Sequence, residues 1–243
     1  MLVDESDNRV RTGSRILDEM LEGGYEKDVI TTLYGPAASG KTVLCLLCTI
    51  NIARADKKVV YVDTEGGFSI ERLRQICSHI NNDYRKVLDS IIFLKPTSFD
   101  EQKKSFEKLR DVISDKIGLI VVDSIAMLYR LELGKSEGAQ EVNRELSKQI
   151  SYLTEIARKK NIPVLITNQV YMDFDEKEKV NIVGGDILKY GSKCLIELQI
   201  TPNNNKRAIL RKHRSIAEEK EILFKIVEGG IIGTKESKGF KLF

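Results

Sequence analysis

The sequence predicts an α/β protein built on a mostly parallel, doubly wound sheet with antiparallel strands at its C-terminal edge. Three observations carry this expectation. Short apolar runs alternate with stretches of helical periodicity between Asp28 and Val170, the grammar of βα units. Two of those runs, IGLIVVDSI and IPVLITNQV, are almost continuously apolar, as strands buried on both faces are. Beyond Val170 the helical periodicity stops and short strand-like runs follow one another.

Taken in order, residues 1–11 read as a flexible leader. SRILDEMLEG places Ile16, Leu17, Met20 and Leu21 on one helical face, and Gly23-Gly24 stops it. DVITTLYG reads as a strand ending at Gly35, and KTVLCLLCTINIARAD as a helix opening from a glycine-rich turn. KKVVYVDT is the next strand, and SIERLRQICSHI a helix with Ser69 as N-cap. SIIFLKP, SFDEQKKSFEKLRDVISD, IGLIVVDSI, EVNRELSKQISYLTEIARKKN and IPVLITNQV continue the alternation. YMDFDEKEKVNIVGGD reads as a polar loop. KCLIELQIT, KRAILRKHRS and EILFKIVEGG then read as antiparallel strands without an intervening helix. No repeat or low-complexity linker interrupts the 243 residues, so one domain is expected.

Composition narrows the class. Hydrophobic residues make up 42% and charged residues 31%, as in globular proteins. No apolar run reaches the roughly 18–20 residues that span a bilayer. The polar start has no signal-peptide core, so no membrane partner and a cytoplasmic location are expected. A net charge of +3 does not by itself point to nucleic acid. Cys45 and Cys48 form a C-x-x-C inside the apolar run TVLCLLCTI with no second ligand pair nearby. They read as small residues in a buried helix, in preference to a zinc or redox site.

One motif carries chemistry outright. GPAASGKT, comprising Gly35, Pro36, Ala37, Ala38, Ser39, Gly40, Lys41 and Thr42, fits G-x-x-x-x-G-K-[ST] between a strand and a helix. Glycines let backbone N–H groups turn toward one point, and the helix N-terminus adds partial positive charge there. Lys41 would reach the terminal phosphates of ATP, and the Thr42 hydroxyl would ligate Mg2+. An apolar strand ending in an acid should complete the metal site, and LIVVDS supplies Asp123. Glu65, at the C-terminal end of the strand after the phosphate loop, is placed to activate a water for attack on the γ-phosphate. Asp63 lies two residues earlier, as a partner of that base or as a structural acid.

These segments together resemble a family. TGSRILDEMLEGG, GPAASGKT, VDTEGGFSIERL, LIVVDSIAMLYR, VLITNQV and GGDILKYGSKCLIEL resemble the RecA-like P-loop NTPase core of RecA-type recombinases, in the branch holding archaeal RadA and its paralogue RadB. The likeness runs from about Arg11 to the end of the chain. It implies that Glu65 activates the attacking water, Arg72 packs against adenine, and Gln169 senses the γ-phosphate ahead of a DNA-binding loop. The short segment before the core carries neither a helix-hairpin-helix domain nor a Phe-x-x-Ala element, which resembles the core-only RadB group. That resemblance implies DNA repair and recombination, DNA as a partner, and contacts with a Holliday-junction resolvase and RadA. It also implies a weak Mg-dependent ATPase and leaves room for a homo-oligomer.

The loop after Gln169 sets Asp173, Asp175, Glu176 and Glu178 against Lys177 and Lys179. A loop that tracks a phosphate backbone should be basic, so strand exchange is not expected. The basic cluster lies in NKRAILRKHRS. It reads as a solvated edge strand, as a DNA contact, or, for Lys212 and Arg214, as groups acting in trans on a neighbour's nucleotide. His213 has no evident partner. The alternatives are an active strand-exchange recombinase, a KaiC-like ring ATPase, and a subunit that uses ATP only as a switch.

Overall fold

The computed structural model describes residues 8–135, 138–172, 180–217 and 219–234. Arg9 and Val10, expected within the flexible leader, form β1 (Arg9–Val10) against β2 (Tyr25–Glu26), flanking α1 (Arg15–Met20). The core then alternates as the sequence predicts. It runs β3 (Ile30–Tyr34), α2 (Lys41–Arg54), β4 (Lys58–Asp63), α3 (Ile70–His79), α4 (Tyr84–Asp89), β5 (Ile91–Leu94), α5 (Phe99–Val112) and β6 (Ile117–Asp123). It continues with α6 (Met127–Leu133), α7 (Ala139–Lys160), β7 (Val164–Asn168), the small ladder of β8 (Val170–Met172) and β9 (Val180–Ile182), and α8 (Gly185–Gly191). The C-terminal strands are β10 (Cys194–Ile200), β11 (Lys206–Lys212), β12 (Glu221–Val227) and β13 (Gly230–Gly233).

Nine strands form one sheet in the order β13-β12-β11-β10-β3-β7-β6-β4-β5. β10, β3, β7, β6, β4 and β5 are parallel, and β11, β12 and β13 are antiparallel. One detail differs from the sequence reading. β10, expected as the first antiparallel strand, pairs in parallel with β3, with Cys194 opposite Thr31. The chain returns to the start of the sheet through α8, the helix that the sequence reading omitted. The seven-residue segment GDILKYG is too short to display a helical stripe clearly. The same holds for α4 and α6, and the four residues of β13 are too few to display strand alternation.

Side-chain alternation divides the core into two layers. Leu33, Val59, Tyr61, Leu119, Val121 and Leu165 pack on one face of the sheet with α1, α2 and α3. Ile30, Val60, Val62, Ile120, Val122 and Ile166 pack on the other with α5, α6 and α7. Cys45 and Cys48 are buried free thiols in α2, and burial pushes both pKa values up, which fits packing and not ligation. This architecture brings the C-terminal ends of β3, β4, β6 and β7 to one edge, where ligands gather in open α/β sheets.

Candidate nucleotide site

The phosphate loop connects β3 to α2. A Cβ at Gly35 would lie 2.2 Å from the Leu198 carbonyl oxygen, so only glycine lets the loop leave the sheet here. Gly40, at φ 105°, is the left-handed residue that turns the chain into α2. A Cβ there would approach Ile226 at 3.2 Å, which places β12 against the loop. The Lys41 ammonium donates to the Gly35 and Pro36 carbonyls at 2.9 and 2.8 Å. Burial pushes its pKa down, while the carboxylates of Glu65 and Asp123 oppose the shift.

Asp123, at the end of β6, is 4% exposed yet accepts three hydroxyl hydrogen bonds. Thr42 donates at 2.8 Å and Tyr61 at 3.0 Å to one carboxylate oxygen, and Thr167 donates to the other. Burial raises the Asp123 pKa, and these donors pull it back toward the ionised range. The predicted metal pair, Thr42 and Asp123, is therefore assembled in space. Tyr61 and Thr167, which sequence reasoning missed, hold it. Thr167 had left a signal, a polar residue within the apolar strand IPVLITNQV.

Glu65 is exposed at the same edge, and the residues that immediately follow β6 and β7 hold its carboxylate. The Ser124 hydroxyl donates to Oε1 at 2.6 Å, and the Gln169 amide donates to both oxygens at 3.1 Å. Asp63 points away from this chemistry. Its carboxylate accepts the N–H groups of Gly67 and Phe68 at 3.1 and 3.3 Å, closing the turn that carries Glu65. Thr64 locks the turn to β6, because its hydroxyl donates to the Ser124 carbonyl at 2.7 Å. A Cβ at Gly67 would sit 3.7 Å from the Thr42 hydroxyl, so the turn lies over the phosphate loop.

Other predicted residues have different surroundings. Ser69 caps α3, accepting the Arg72 N–H at 3.1 Å. The Arg72 guanidinium donates to the carbonyls of Val227 and Glu228, pinning the β12–β13 turn. Lys212 donates to the Lys189 and Ser192 carbonyls at the end of α8. Arg214 forms a two-pronged pair with Asp28 and lies 2.9 Å from Glu26. Both cations are therefore engaged inside the chain. His213, which has no evident partner in the sequence, accepts the N–H groups of Ser215 and Ile216 at 3.1 Å through Nδ1 and faces Glu26 with Nε2. The acidic segment 173–179 lies outside the described residues.

The residues present fit a magnesium nucleotide. The loop is a glycine-dependent cradle at a helix N-terminus, and the buried Ser39 hydroxyl has no partner there. The Thr42 hydroxyl and the Asp123 carboxylate, 2.8 Å apart, are a small donor set of the kind that suits Mg2+, which keeps waters and phosphate oxygens around it.

A family model described as Rad51 matches residues 6–234. The DNA repair and recombination protein RadB of Methanobrevibacter smithii is 44% identical over 234 residues, covering 94% of this chain and 97% of its own length. The RadB protein of Methanothermobacter thermautotrophicus is 38% identical over 237 residues, covering 95% and 99% respectively. A solved structure, the crystal structure of the RadB recombinase, superposes with a TM-score of 0.80 at 36% identity, covering 93% of this chain and all of that one.

Proposed function

The chain belongs to the Rad51 family, and on that premise we propose that it is an ATP-binding, weakly ATP-hydrolysing DNA-binding protein assisting homologous recombination and repair. The observation that carries this reading is the meeting of Lys41, Thr42, Asp123, Glu65 and Gln169 at one sheet edge.

Each residue has a separate task. The loop N–H groups and Lys41 bind the phosphates. Thr42 and Asp123 would hold Mg2+, which when bound would neutralise phosphate charge. Glu65 takes the proton of the attacking water and acts as a catalytic residue. Gln169, at the start of the segment leading to 173–179, reports the state of the nucleotide through the same carboxylate. Two donors already hold Glu65, so these contacts must loosen before its carboxylate can engage a water. This supports slow turnover. The acidic loop sequence supports assistance to recombination without strand exchange by this chain. DNA is the proposed partner. A Holliday-junction resolvase, RadA and further copies of the chain follow from family likeness, as does a cytoplasmic location. Among the described residues no helix is long and apolar enough to cross a membrane.

The test is ATP hydrolysis and nucleotide binding by the wild type, Lys41→Ala and Glu65→Gln. Glu65→Gln should bind ATP normally and lose roughly 10²-fold or more in hydrolysis, while Lys41→Ala should lose binding. Equal hydrolysis by wild type and Glu65→Gln would remove Glu65 as the base. Rapid ATP consumption on addition of single-stranded DNA, or strand exchange by the purified chain, would overturn the assisting role.

A further inference from the structure

We infer that Ser124 is a positioning residue for ATP hydrolysis, whose hydroxyl keeps Glu65 aimed at the attacking water once Gln169 has turned to the nucleotide. The inference rests on the reading of Glu65 as the base and deepens it by naming the group that aims that base.

Glu65 needs an external hold. It is exposed and stands two residues beyond the end of β4. A glutamate side chain in water samples many rotamers, whereas attack requires the reacting groups to be held in one geometry. Among the described residues, Ser124 and Gln169 are the side chains that donate to its carboxylate. These two donors are not equivalent.

Ser124 is 1% exposed, and its main chain is fixed from several sides. Its N–H donates to the Thr64 hydroxyl oxygen at 3.0 Å, and that hydroxyl donates back to the Ser124 carbonyl at 2.7 Å. Before it, the Asp123 carbonyl accepts the Thr64 N–H at 2.9 Å. After it, the Ile125 N–H donates to the Thr167 carbonyl at 3.1 Å. The buried Gln102 amide of α5 donates to the Ile125 carbonyl at 3.2 Å and to the Gln149 side chain of α7 at 2.8 Å. The Ser124 hydroxyl therefore stands on a frame built from the exit of β4, from β7 and from α5.

Gln169 is only half-buried and links β7 to β8. Its amide nitrogen is shared between both Glu65 oxygens at 3.1 Å. Ser124 donates to Oε1 alone, at 2.6 Å, the length of a strong hydroxyl–carboxylate bond. Oε2 is thus held by Gln169 and not by Ser124. When the amide turns to the γ-phosphate, Oε2 opens while Ser124 stays on Oε1. Oε2 then takes the proton of the attacking water, and Ser124 keeps its own.

The residue type suits this task. A hydroxyl is short and neutral, so it fixes the carboxylate without pairing a cation with the base. Its neighbour Asp123 accepts from Thr42 at the metal position. Two consecutive residues on one fixed segment thus set the base and the metal position relative to each other.

A buried serine finds an acceptor in any fold, so aiming and plain burial are separated by a double-variant cycle. Single-turnover hydrolysis of labelled ATP, ATP affinity and urea midpoints are measured for the wild type, Ser124→Ala, Glu65→Gln and the double variant. Ser124→Ala should hydrolyse roughly tenfold or more slowly, with ATP affinity and midpoint at wild-type values. In the Glu65→Gln background the same change should cost nothing further, because a group that acts through the base has no effect once the base is gone. Glutamine keeps an oxygen for the Ser124 hydroxyl, so the serine remains satisfied in that background. Wild-type hydrolysis by Ser124→Ala, with Glu65→Gln slow, overturns the inference alone. An equal slowing in both backgrounds, or a slowing matched by lost ATP affinity or lost folded protein, assigns Ser124 to the fold and also overturns it. Equal hydrolysis by wild type and Glu65→Gln removes the base and the inference together.

Discussion

Asp63 and Glu65 stand two residues apart at the end of one strand and do different work. Asp63 is 4% exposed and turned back onto the Gly67 and Phe68 amides, so it shapes the turn. Glu65 faces solvent and is held by Ser124 and Gln169. A carboxylate locked into backbone N–H groups has few lone pairs left for water, whereas one held by side chains just past neighbouring strands can exchange partners. His213 offers a second residue-scale case. Burial holds its imidazole below the ordinary value of 6.5, with the neighbouring Glu26 opposing the shift, and its Nδ1 must remain unprotonated to accept two N–H groups. Folding therefore favours the neutral ring. The stabilisation is complete above pH 6.5 and is lost as pH falls below that value through the folded-state pKa. Denaturant midpoints between pH 7.5 and about 5 should fall with pH in the wild type. They should fall less in His213→Asn, whose amide oxygen can replace Nδ1 as acceptor without titrating. Parallel curves would show that another group sets the acid sensitivity.

At the scale of elements, the chain's local signals and their tertiary uses coincide in α3. Ser69 accepts the Arg72 N–H as an N-cap should, and Arg72 then reaches across to the β12–β13 turn. Ser69→Ala should lower stability by about 1 kcal/mol, read as a shift in urea midpoint at unchanged slope. A null effect would mean that α3 is held by packing alone. The phosphate loop is less tolerant. Gly35→Ala drives a methyl group into the Leu198 carbonyl, so both nucleotide affinity and thermal stability should drop. Retention of both would show that β10 can move away from β3.

At the scale of the whole molecule, the antiparallel extension is part of the nucleotide-binding half of the core. Phe224 on β12 is fully buried in the same cluster as Leu44 and Cys45 of α2. Phe224→Ala should destabilise the protein by about 3–5 kcal/mol and should do so in a single unfolding transition. A separate early transition for β11–β13 would mean that these strands are an independent flap. The α2 helix that presents Lys41 and Thr42 to phosphate packs against this cluster on its other face, so a cavity at Phe224 should also weaken ATP binding.

The sequence by itself determined the alternation of strands and helices, because periodicity is a local property. It also determined the phosphate loop, because a glycine-rich turn between a strand and a helix needs no distant partner to be recognised. Asp123, Glu65 and Gln169 could be singled out as candidates for a related reason, since each stands near the end of an apolar run, and Thr42 came with the phosphate-loop motif. Only the tertiary structure decided the rest. Tyr61 and Thr167 could not be read as holders of Asp123, because that role depends on three strands lying side by side. The same holds for β10, whose direction is fixed by a crossover through a helix too short to show its period. For Lys212 and Arg214 the sequence gives only their spacing, and folding sets the α8 carbonyls and Asp28 beside them. Spacing along a chain gives which face a side chain can take, while the partner it meets there depends on which distant segments the sheet order brings alongside.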